Sequence, residues 1–309
     1  MSVKKFRFAL QLSSVKDVNS LSFWANKAQD LGFDCISLPD HLGDQLSPIS
    51  ALTYLGLVNK ELKVSTLVLD NDFRHPLILA REMATLIELI GPRLELGIGA
   101  GWMKSDYETS GISYDPASVR VKRFKEAVLI IKEFFNSKEV NFEGEFYKIR
   151  NCNPFPRVST APKILIGGGS KNILSFGAKV ADILNVNANL SAGYIGPEVI
   201  AQMMPDKFDE RFEYIKQAAP ERLEAIEFQS LIFIGVIGKD AKDKVENLAS
   251  SFGVDPKLVN DIPAVIAGEP QEIADRLFER RQRWGYSYYV VHEDIAEQFS
   301  KVIELLKGK

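Results

Sequence analysis

Residues 63–102 read KVSTLVLDNDFRHPLILAREMATLIELIGPRLELGIGAGW, and this stretch decides the predicted fold. An apolar strand leads through a polar loop into an amphipathic helix, and a tight turn then precedes a second apolar strand. Polar residues or glycines stand where each strand ends. In parallel α/β folds the active site lies at the carboxyl ends of the strands. The stretch therefore predicts both the architecture and the end of it that carries the site.

The same alternation of strands and helices continues over the whole 309-residue chain. Apolar residues between the strands recur at three- and four-residue steps, as from Leu21 to Leu31 and from Val121 to Phe135, which is typical of one helix face. The predicted strands are Phe6–Leu12, Asp34–Pro39, Lys63–Asp70, Leu94–Gly101, Lys163–Gly168, Asp182–Ala188, Phe228–Gly238 and Ser287–His292. Such alternation predicts parallel βαβ units joined by right-handed crossovers.

Eight such units predict an α/β fold of the (β/α)₈ TIM-barrel type, formed by residues 1–309 as a single domain. Two insertions are predicted, one after the fourth strand and one after the sixth. Lys138–Pro156 alternates around Glu143-Gly144 like a hairpin, and Ala192–Ala225 has a helical period. A doubly wound open sheet is the alternative, and the even number of strands favours the barrel.

The composition is that of an ordinary globular protein, with 46% hydrophobic and 26% charged residues and a net charge of −3. This small negative charge does not indicate binding to nucleic acid or to an anionic membrane. The two cysteines, Cys35 and Cys152, lack metal-ligand spacing, and no apolar run is long enough to span a bilayer. We therefore expect a cytoplasmic protein with a small-molecule substrate and with no nucleic acid, membrane or metal partner.

Two glycine-rich strand ends are candidates for ligand contact. Gly97, Gly99 and Gly101 fail the dinucleotide fingerprint because Trp102 stands at its last glycine position. They either let a flat group lie on the backbone or relieve a crowded barrel interior. The run Gly167-Gly168-Gly169-Ser170 precedes a helical pattern, so its N–H groups either bind a phosphate or accompany an ordinary serine N-cap.

Two loops carry the chemically reactive candidates. Asp40-His41 follows the second predicted strand, where the carboxylate could fix the imidazole tautomer or simply cap a turn. After the third strand, Arg74 or His75 could face the same cavity, whereas residues 70–72 (Asp-Asn-Asp) are typical turn residues. Position 296 is Ala, so His292-Glu293 does not begin a zinc motif, and no GxSxG elbow occurs. What remains suits a planar phosphorylated cofactor.

These residues carry a resemblance to a known superfamily. PDHLGDQLSP (39–48), STLVLDNDFRHPLILAREMATL (65–86), RLELGIGAGW (93–102) and ILIGGGS (164–170) resemble the luciferase-like monooxygenases, most closely the branch that uses the deazaflavin coenzyme F-420. The resemblance covers nearly the whole chain in the right order. It implies an oxidoreductase that transfers hydride, and it implies a homodimer.

The resemblance also assigns positions to the cofactor. A bulge that often contains a non-proline cis peptide, here Thr66, Leu67 and Val68, would back the central ring, and Asp40 with His41 would lie near its reactive edge. There we expect His41 to donate a hydrogen bond or a proton as a catalytic residue, held in place by Asp40. Other contacts implied by the resemblance are Gly99, Ala100 and Gly101 beside the ring, Gly167, Gly168, Gly169 and Ser170 at the phosphate, and Asn187 in the same cavity.

One position departs from the family pattern. Sugar-phosphate dehydrogenase relatives have a proton-donating glutamate where this chain has Trp102, so a substrate with a flat or apolar portion is expected, with Arg74 and His75 near it. Two alternatives stay open. One is an FMN-dependent monooxygenase that activates oxygen, and the other is a non-catalytic barrel that retains a flavin site.

Overall fold

The computed structural model describes residues 4–194, 196–252 and 256–309. Its strands are β1 (Arg7–Gln11), β2 (Cys35–Leu38), β3 (Lys63–Thr66), β4 (Leu69–Asp70), β5 (Leu94–Gly99), β6 (Val140–Glu143), β7 (Lys148–Cys152), β8 (Lys163–Gly168), β9 (Ile183–Val186), β10 (Glu227–Leu231), β11 (Ile234–Ile237), β12 (Val265–Gly268) and β13 (Tyr286–His292). Its α-helices are α1 (Val18–Asp30), α2 (Pro48–Val58), α3 (Pro76–Ile90), α4 (Lys104–Ser110), α5 (Ala117–Asn136), α6 (Lys171–Val180), α7 (Pro197–Ala201), α8 (Pro205–Ala218), α9 (Ala241–Phe252), α10 (Pro256–Val259), α11 (Pro270–Trp284) and α12 (Ala296–Leu306).

Eight parallel strands close into a ring in the order β1, β2, β3, β5, β8, β9, β10 and β13, with β13 paired back to β1. The two-residue β4 continues β3 along β5. The predicted (β/α)₈ barrel is therefore confirmed. The predicted seventh strand is divided, because β10 belongs to the barrel whereas β11 pairs with β12 in a separate two-stranded sheet.

Alternate residues of each strand fill two different cores, as the period of a strand requires. In β13, Tyr288 and Val290 join Ala9 and Leu165 in a cluster inside the barrel. Their neighbours Tyr289 and Val291 join the larger cluster formed with the surrounding helices. The interior is therefore packed with side chains and is not a pore.

A buried ionic cluster lies where the barrel strands begin. Arg7 pairs with Glu95 at 2.6 Å and with Glu227 at 2.7 Å, and Lys63 and the Tyr288 hydroxyl also contact Glu95. Burial opposes ionisation of Glu95, but Arg7 and Lys63 outweigh it and lower the pKa of this carboxyl. The amino ends of the strands are therefore occupied, which leaves the carboxyl ends for a ligand.

The insertions refine the predicted architecture. The predicted hairpin is confirmed as the antiparallel pair β6–β7, and the second predicted insertion contains α7 together with α8, which packs on α6. A third insertion, β11 to β12 with α9 and α10, was not predicted, because FQSLIFIGVIG (228–238) contains no turn signal. Among the described helices, none combines the length and the apolar character that crossing a bilayer needs.

Candidate active site

A cavity of about 380 Å³ opens at the carboxyl ends of the barrel strands. It contains most of the residues that the sequence pointed to, and it joins them in one space. The predicted site residues that line it are Asp40, His41, Leu67, Val68, Gly99, Ala100, Gly101, Trp102, Gly167, Gly168, Gly169, Ser170 and Asn187. Thr66, Arg74 and His75 are absent from the lining of this cavity.

The floor of the cavity is formed by a bulge between β3 and β4. Between the pairs Ser65–Glu95 and Leu69–Ile98, residues 66–68 oppose only residues 96–97 of β5, so the chain holds one extra residue. The peptide bond between Leu67 and Val68 is cis, as the resemblance implied. The Thr66 side chain is buried and bonds both the N–H and the C=O of Gly97, at 2.8 and 2.7 Å. Thr66 therefore anchors the bulge to β5.

The glycines beside this bulge make room for Val68. A Cβ atom at Gly97 would lie 1.9 Å from the Thr66 carbonyl oxygen, and one at Gly99 would lie 2.8 Å from Val68 Cγ2. A Cβ at Gly167 would lie 3.3 Å from Val68 Cγ1. The crowded-interior interpretation is therefore right for Gly97 and Gly99, and Gly167 is also in contact with Val68. A flat ligand would rest on Val68, and the glycines admit that side chain.

The histidine of the site is held by a different carboxylate from the one predicted. His41 Nδ1 lies 2.7 Å from Asp106 Oδ2 on α4, and Asp106 Oδ1 also accepts from the Leu42 N–H. Asp40 instead accepts two hydrogen bonds from Arg74, at 2.5 and 3.0 Å. The proposal that Asp40 orients His41 was wrong, because the guanidinium group offers a fixed pair of donors that matches the Asp40 carboxylate.

Arg74 and His75 contact other parts of the protein instead of lining the cavity. Arg74 balances the charge of the buried Asp40. His75 is exposed, accepts a hydrogen bond from Leu77 N at 3.3 Å as the N-cap of α3, and lies edge-on to Tyr147. Partial burial lowers the pKa of His75. The prediction that His75 faces the cavity was wrong, because helix capping directs its ring to the surface.

At the other end of the cavity, the β8–α6 loop presents a helix N-terminus. Ser170 is the N-cap of α6 and accepts from Ile173 N, so the capping interpretation is confirmed, yet the residue also lines the cavity. Gly169 packs on the backbone, since a Cβ there would lie 2.3 Å from the Ala188 carbonyl. The uncharged residues Asn172, Asn187, Asn189 and Ser191 complete this end. Free backbone N–H groups and the helix dipole suit a phosphate.

Several lining residues were missed by the sequence patterns. Gln11 ends β1, is 5% exposed, and its Oε1 has no hydrogen-bond partner. Its signal was a polar residue inside the apolar run FRFALQL (6–12). Asp106 and the buried Arg120 lie on helices after β5, where nothing in the sequence marks them as close to His41 or to the glycines.

The cavity thus combines an apolar floor at Val68, the N-terminus of α6 and a histidine held by a carboxylate. The family model described as luciferase-like monooxygenase matches residues 3–214. The chain belongs to the luciferase-like monooxygenase family. Among curated relatives, this luciferase-like protein is 29% identical over 185 residues to the F420-dependent glucose-6-phosphate dehydrogenase of Microbacterium testaceum, covering 57% of this chain and 55% of that one.

Solved structures share the fold of this luciferase-like chain. The coenzyme F420-dependent tetrahydromethanopterin reductase from Methanopyrus kandleri superposes with a TM-score of 0.77 at 19% identity, over 98% of each chain. Riboflavin lyase with modified FMN superposes with a TM-score of 0.73 at 14% identity, over 98% of this chain and 92% of that one. The chain spans about half the length of the curated relatives it matches.

Proposed function

We propose that this protein is an oxidoreductase that binds the deazaflavin coenzyme F-420 and transfers hydride to or from an organic, partly apolar substrate. The observation that carries the proposal is one continuous cavity that joins the N-terminus of α6, the Val68 floor and the His41–Asp106 pair. The similarity to the F420-dependent glucose-6-phosphate dehydrogenase of Microbacterium testaceum supports this choice. Such a fold provides the position of the cofactor, and the cofactor provides the hydride chemistry.

The residues present fit such a cofactor. The phosphate would meet the N–H groups of Gly169 and Ser170, and the ring would rest on Val68. The unpartnered Gln11 Oε1 is buried in the same lining, and a buried acceptor without a donor is costly. A ring N–H of a deazaflavin or flavin would satisfy it. Gln11 is therefore the lining residue that most clearly fits a hydrogen-bond donor of the cofactor ring.

His41 would hold the polar group of the substrate. Because the Asp106 carboxylate accepts from Nδ1, the neutral imidazole carries its hydrogen there and presents Nε2 as an acceptor. The Trp102 ring lies edge-on to His41, with 5.8 Å between the ring centroids. Met103, Leu190 and Phe233 also line the cavity. A substrate with an apolar body and one polar atom suits this lining better than a sugar phosphate does.

Two other functions are open to test. An FMN-dependent monooxygenase would use much the same cavity, and the riboflavin lyase with its modified FMN shares the fold. A non-catalytic flavin-binding barrel would have no use for an oriented histidine. Visible-absorption titration of the protein with oxidised F-420 and with FMN separates the first alternative, and turnover of reduced cofactor excludes the second.

We expect submicromolar binding of F-420 and much weaker binding of FMN. Gln11→Leu should weaken F-420 binding about 5- to 10-fold, because one buried hydrogen bond contributes about 1 kcal/mol. Ser287→Ala is the matched control, since Ser287 Oγ is also buried without a partner but is absent from the cavity lining. Tight FMN binding with none of F-420 would overturn the cofactor choice, and equal affinities for Gln11→Leu and Ser287→Ala would overturn the role of Gln11.

A further inference from the structure

The hydroxyl of Tyr107 lies between two carboxylates at the edge of the cavity. It is 3.2 Å from Asp70 Oδ1 and 3.0 Å from Asp72 Oδ2. Tyr107 on α4 is 1% exposed, so both contacts are shielded from bulk water. A phenol carries one hydrogen, so without a further proton it serves both carboxylates only through one shared, bifurcated hydrogen bond. A proton on one of the two carboxyl groups would give each contact its own hydrogen and would remove the repulsion between two ionised groups.

The two carboxyl groups differ in their partners. Asp72 accepts two hydrogen bonds from Arg123, at 2.8 and 2.6 Å, so its ionised form is stabilised. In the described part of the chain, Asp70 makes no ion pair. The Arg74 guanidinium, the cation nearest along the chain, is engaged by Asp40. Of the two carboxyl groups, Asp70 is therefore the one on which a proton is the more stable.

The charges around Asp70 agree with this assignment. It faces Asp40 from the loop after β2, Asp72 from its own loop and the Tyr107 hydroxyl from α4. Burial first, and then the charges of Asp72 and Asp40, raise the pKa of Asp70 to about 7 against the hydrogen bonds from the Asp72 N–H and Tyr107. Arg123 and Arg74 each reach it only through a carboxylate with which they already pair. Arg120 on α5 lines the same cavity and lies over the Tyr107 ring, 5.8 Å from its centroid, but among the described residues it forms no ion pair with Asp70.

Asp70 also lies where a reaction would need a proton. It lines the same cavity as His41, and its N–H donates to Asp40 Oδ2 at 3.1 Å. Both of its oxygens lie against Gly101, where a Cβ would be 2.6 and 2.7 Å from them. When Asp70 loses its proton, the Tyr107 O–H can turn from Asp72 to Asp70, because Arg123 continues to hold Asp72. Tyr107 can thus stabilise Asp70 in both protonation states.

Building on the proposed function, we propose that Asp70 is the group of this site that exchanges a proton with the substrate, with Tyr107 as its positioning residue. In reduction, an electrophilic carbon of the substrate accepts a hydride with its electron pair, and the reduced cofactor that supplies it is oxidised by two electrons. The atom that receives the electrons of the double bond takes the proton of Asp70. The resulting carboxylate regains a proton from water, and oxidation runs these steps in reverse.

Infrared difference spectroscopy of the cofactor-free protein tests the resting proton. The C=O band of a protonated carboxyl group should disappear between pH 6 and 8 with a midpoint of about pH 7. Asp70→Asn should lack this titration. Asp34→Asn should keep it, although burial also raises the pKa of Asp34. Tyr107→Phe should raise the midpoint, because the hydrogen bond from Tyr107 lowers the pKa of Asp70, and this variant covers the case that Asp70→Asn does not fold. A wild type without the titration, or a band that persists in Asp70→Asn, would overturn the proposal.

Oxidation of bound reduced F-420 by 2-cyclohexen-1-one tests the proton transfer. Asp70→Asn should lower kcat about 10- to 100-fold with little change in KM, and should lose the limb of the pH profile near pH 7. A limb that persists in this variant would contradict the transfer role. A wild type that neither binds F-420 nor oxidises it with this probe would contradict the proposed function, while the infrared result would still decide whether Asp70 holds the proton.

Discussion

At the scale of single residues, the site depends on which carboxylate holds the histidine. Asp106 contacts His41 Nδ1 at 2.7 Å and also accepts from the following N–H, so it holds both the ring and its loop. A carboxylate accepts only, which places the imidazole hydrogen on Nδ1. The free Nε2 is then oriented by α4, and second partners of this kind commonly set the tautomer of a functional histidine.

Asp106→Asn should disturb this tautomer. The amide can donate to Nδ1 as well as accept from it, so His41 should populate both neutral tautomers, and turnover should fall about 100-fold. Nitrogen-15 NMR of the side chains of the three histidines measures the tautomers without any cofactor. Asp40→Asn is the control and should leave His41 on its Nδ1–H tautomer. An Nε2–H tautomer in the wild type, or a change only in Asp40→Asn, would refute the assignment.

The sequence pointed to His41 but to the wrong partner for a physical reason. Asp40 is adjacent in the chain, whereas Asp106 is 65 residues away and comes close only when α4 folds over the barrel. Adjacent side chains after a strand point in different directions, and Asp40 turns toward Arg74. The position of His41 at a strand end was predictable from the sequence. Its partner Asp106, which lies on a different element, was not.

At the scale of elements, the bulge and β5 form one fitted unit. Val68 occupies the hollow over Gly97, Gly99 and Gly167, and Thr66 ties the bulge to β5 through two hydrogen bonds. Protein interiors are close-packed, so an added methyl group at this contact forces a neighbour to move. The shape of the cavity floor therefore depends on glycine at these three positions.

Gly99→Ala should lower the free energy of unfolding by about 1–3 kcal/mol and weaken cofactor binding, because its methyl meets Val68 Cγ2. Adding Val68→Ala should recover about 1 kcal/mol of this loss by removing the contact. Gly43→Ala is the control, since a Cβ there meets nothing within 4 Å. Denaturant unfolding of the wild type, Gly99→Ala, Val68→Ala, the double variant and Gly43→Ala measures the coupling. Additive effects of the two substitutions would show that Val68 does not fill this hollow.

The elements themselves were largely predictable. Each predicted strand coincides with a barrel strand, because β-branched and apolar runs between helical periods are a strong local signal. The exception is residues 228–238, whose uninterrupted apolar run continues from the barrel into β11. In the folded chain β10 is almost entirely buried whereas the residues of β11 are only partly buried, but the apolar sequence is the same on both sides of this boundary.

At the scale of the whole molecule, a buried ionic cluster and the candidate site lie at opposite ends of the barrel. The Arg7–Glu95–Glu227 cluster occupies the amino ends of the strands, and the cavity occupies their carboxyl ends. This division is general for barrels of this type. Because of this division, residues at the ends of predicted strands were enough to predict which end of the barrel carries the candidate site. Self-association stays a prediction, because a single chain does not distinguish an outer helix face from an interface.

The identity of the bound ring tests the proposed function most directly. We would purify the protein from a host that makes both F-420 and FMN, denature it, and separate the released ligand by chromatography with visible detection. The cavity, its phosphate end and the unpartnered Gln11 predict that F-420 is released in close to equal molar amount. Release of FMN alone, or of no chromophore from protein that also fails to bind added F-420, would contradict the account.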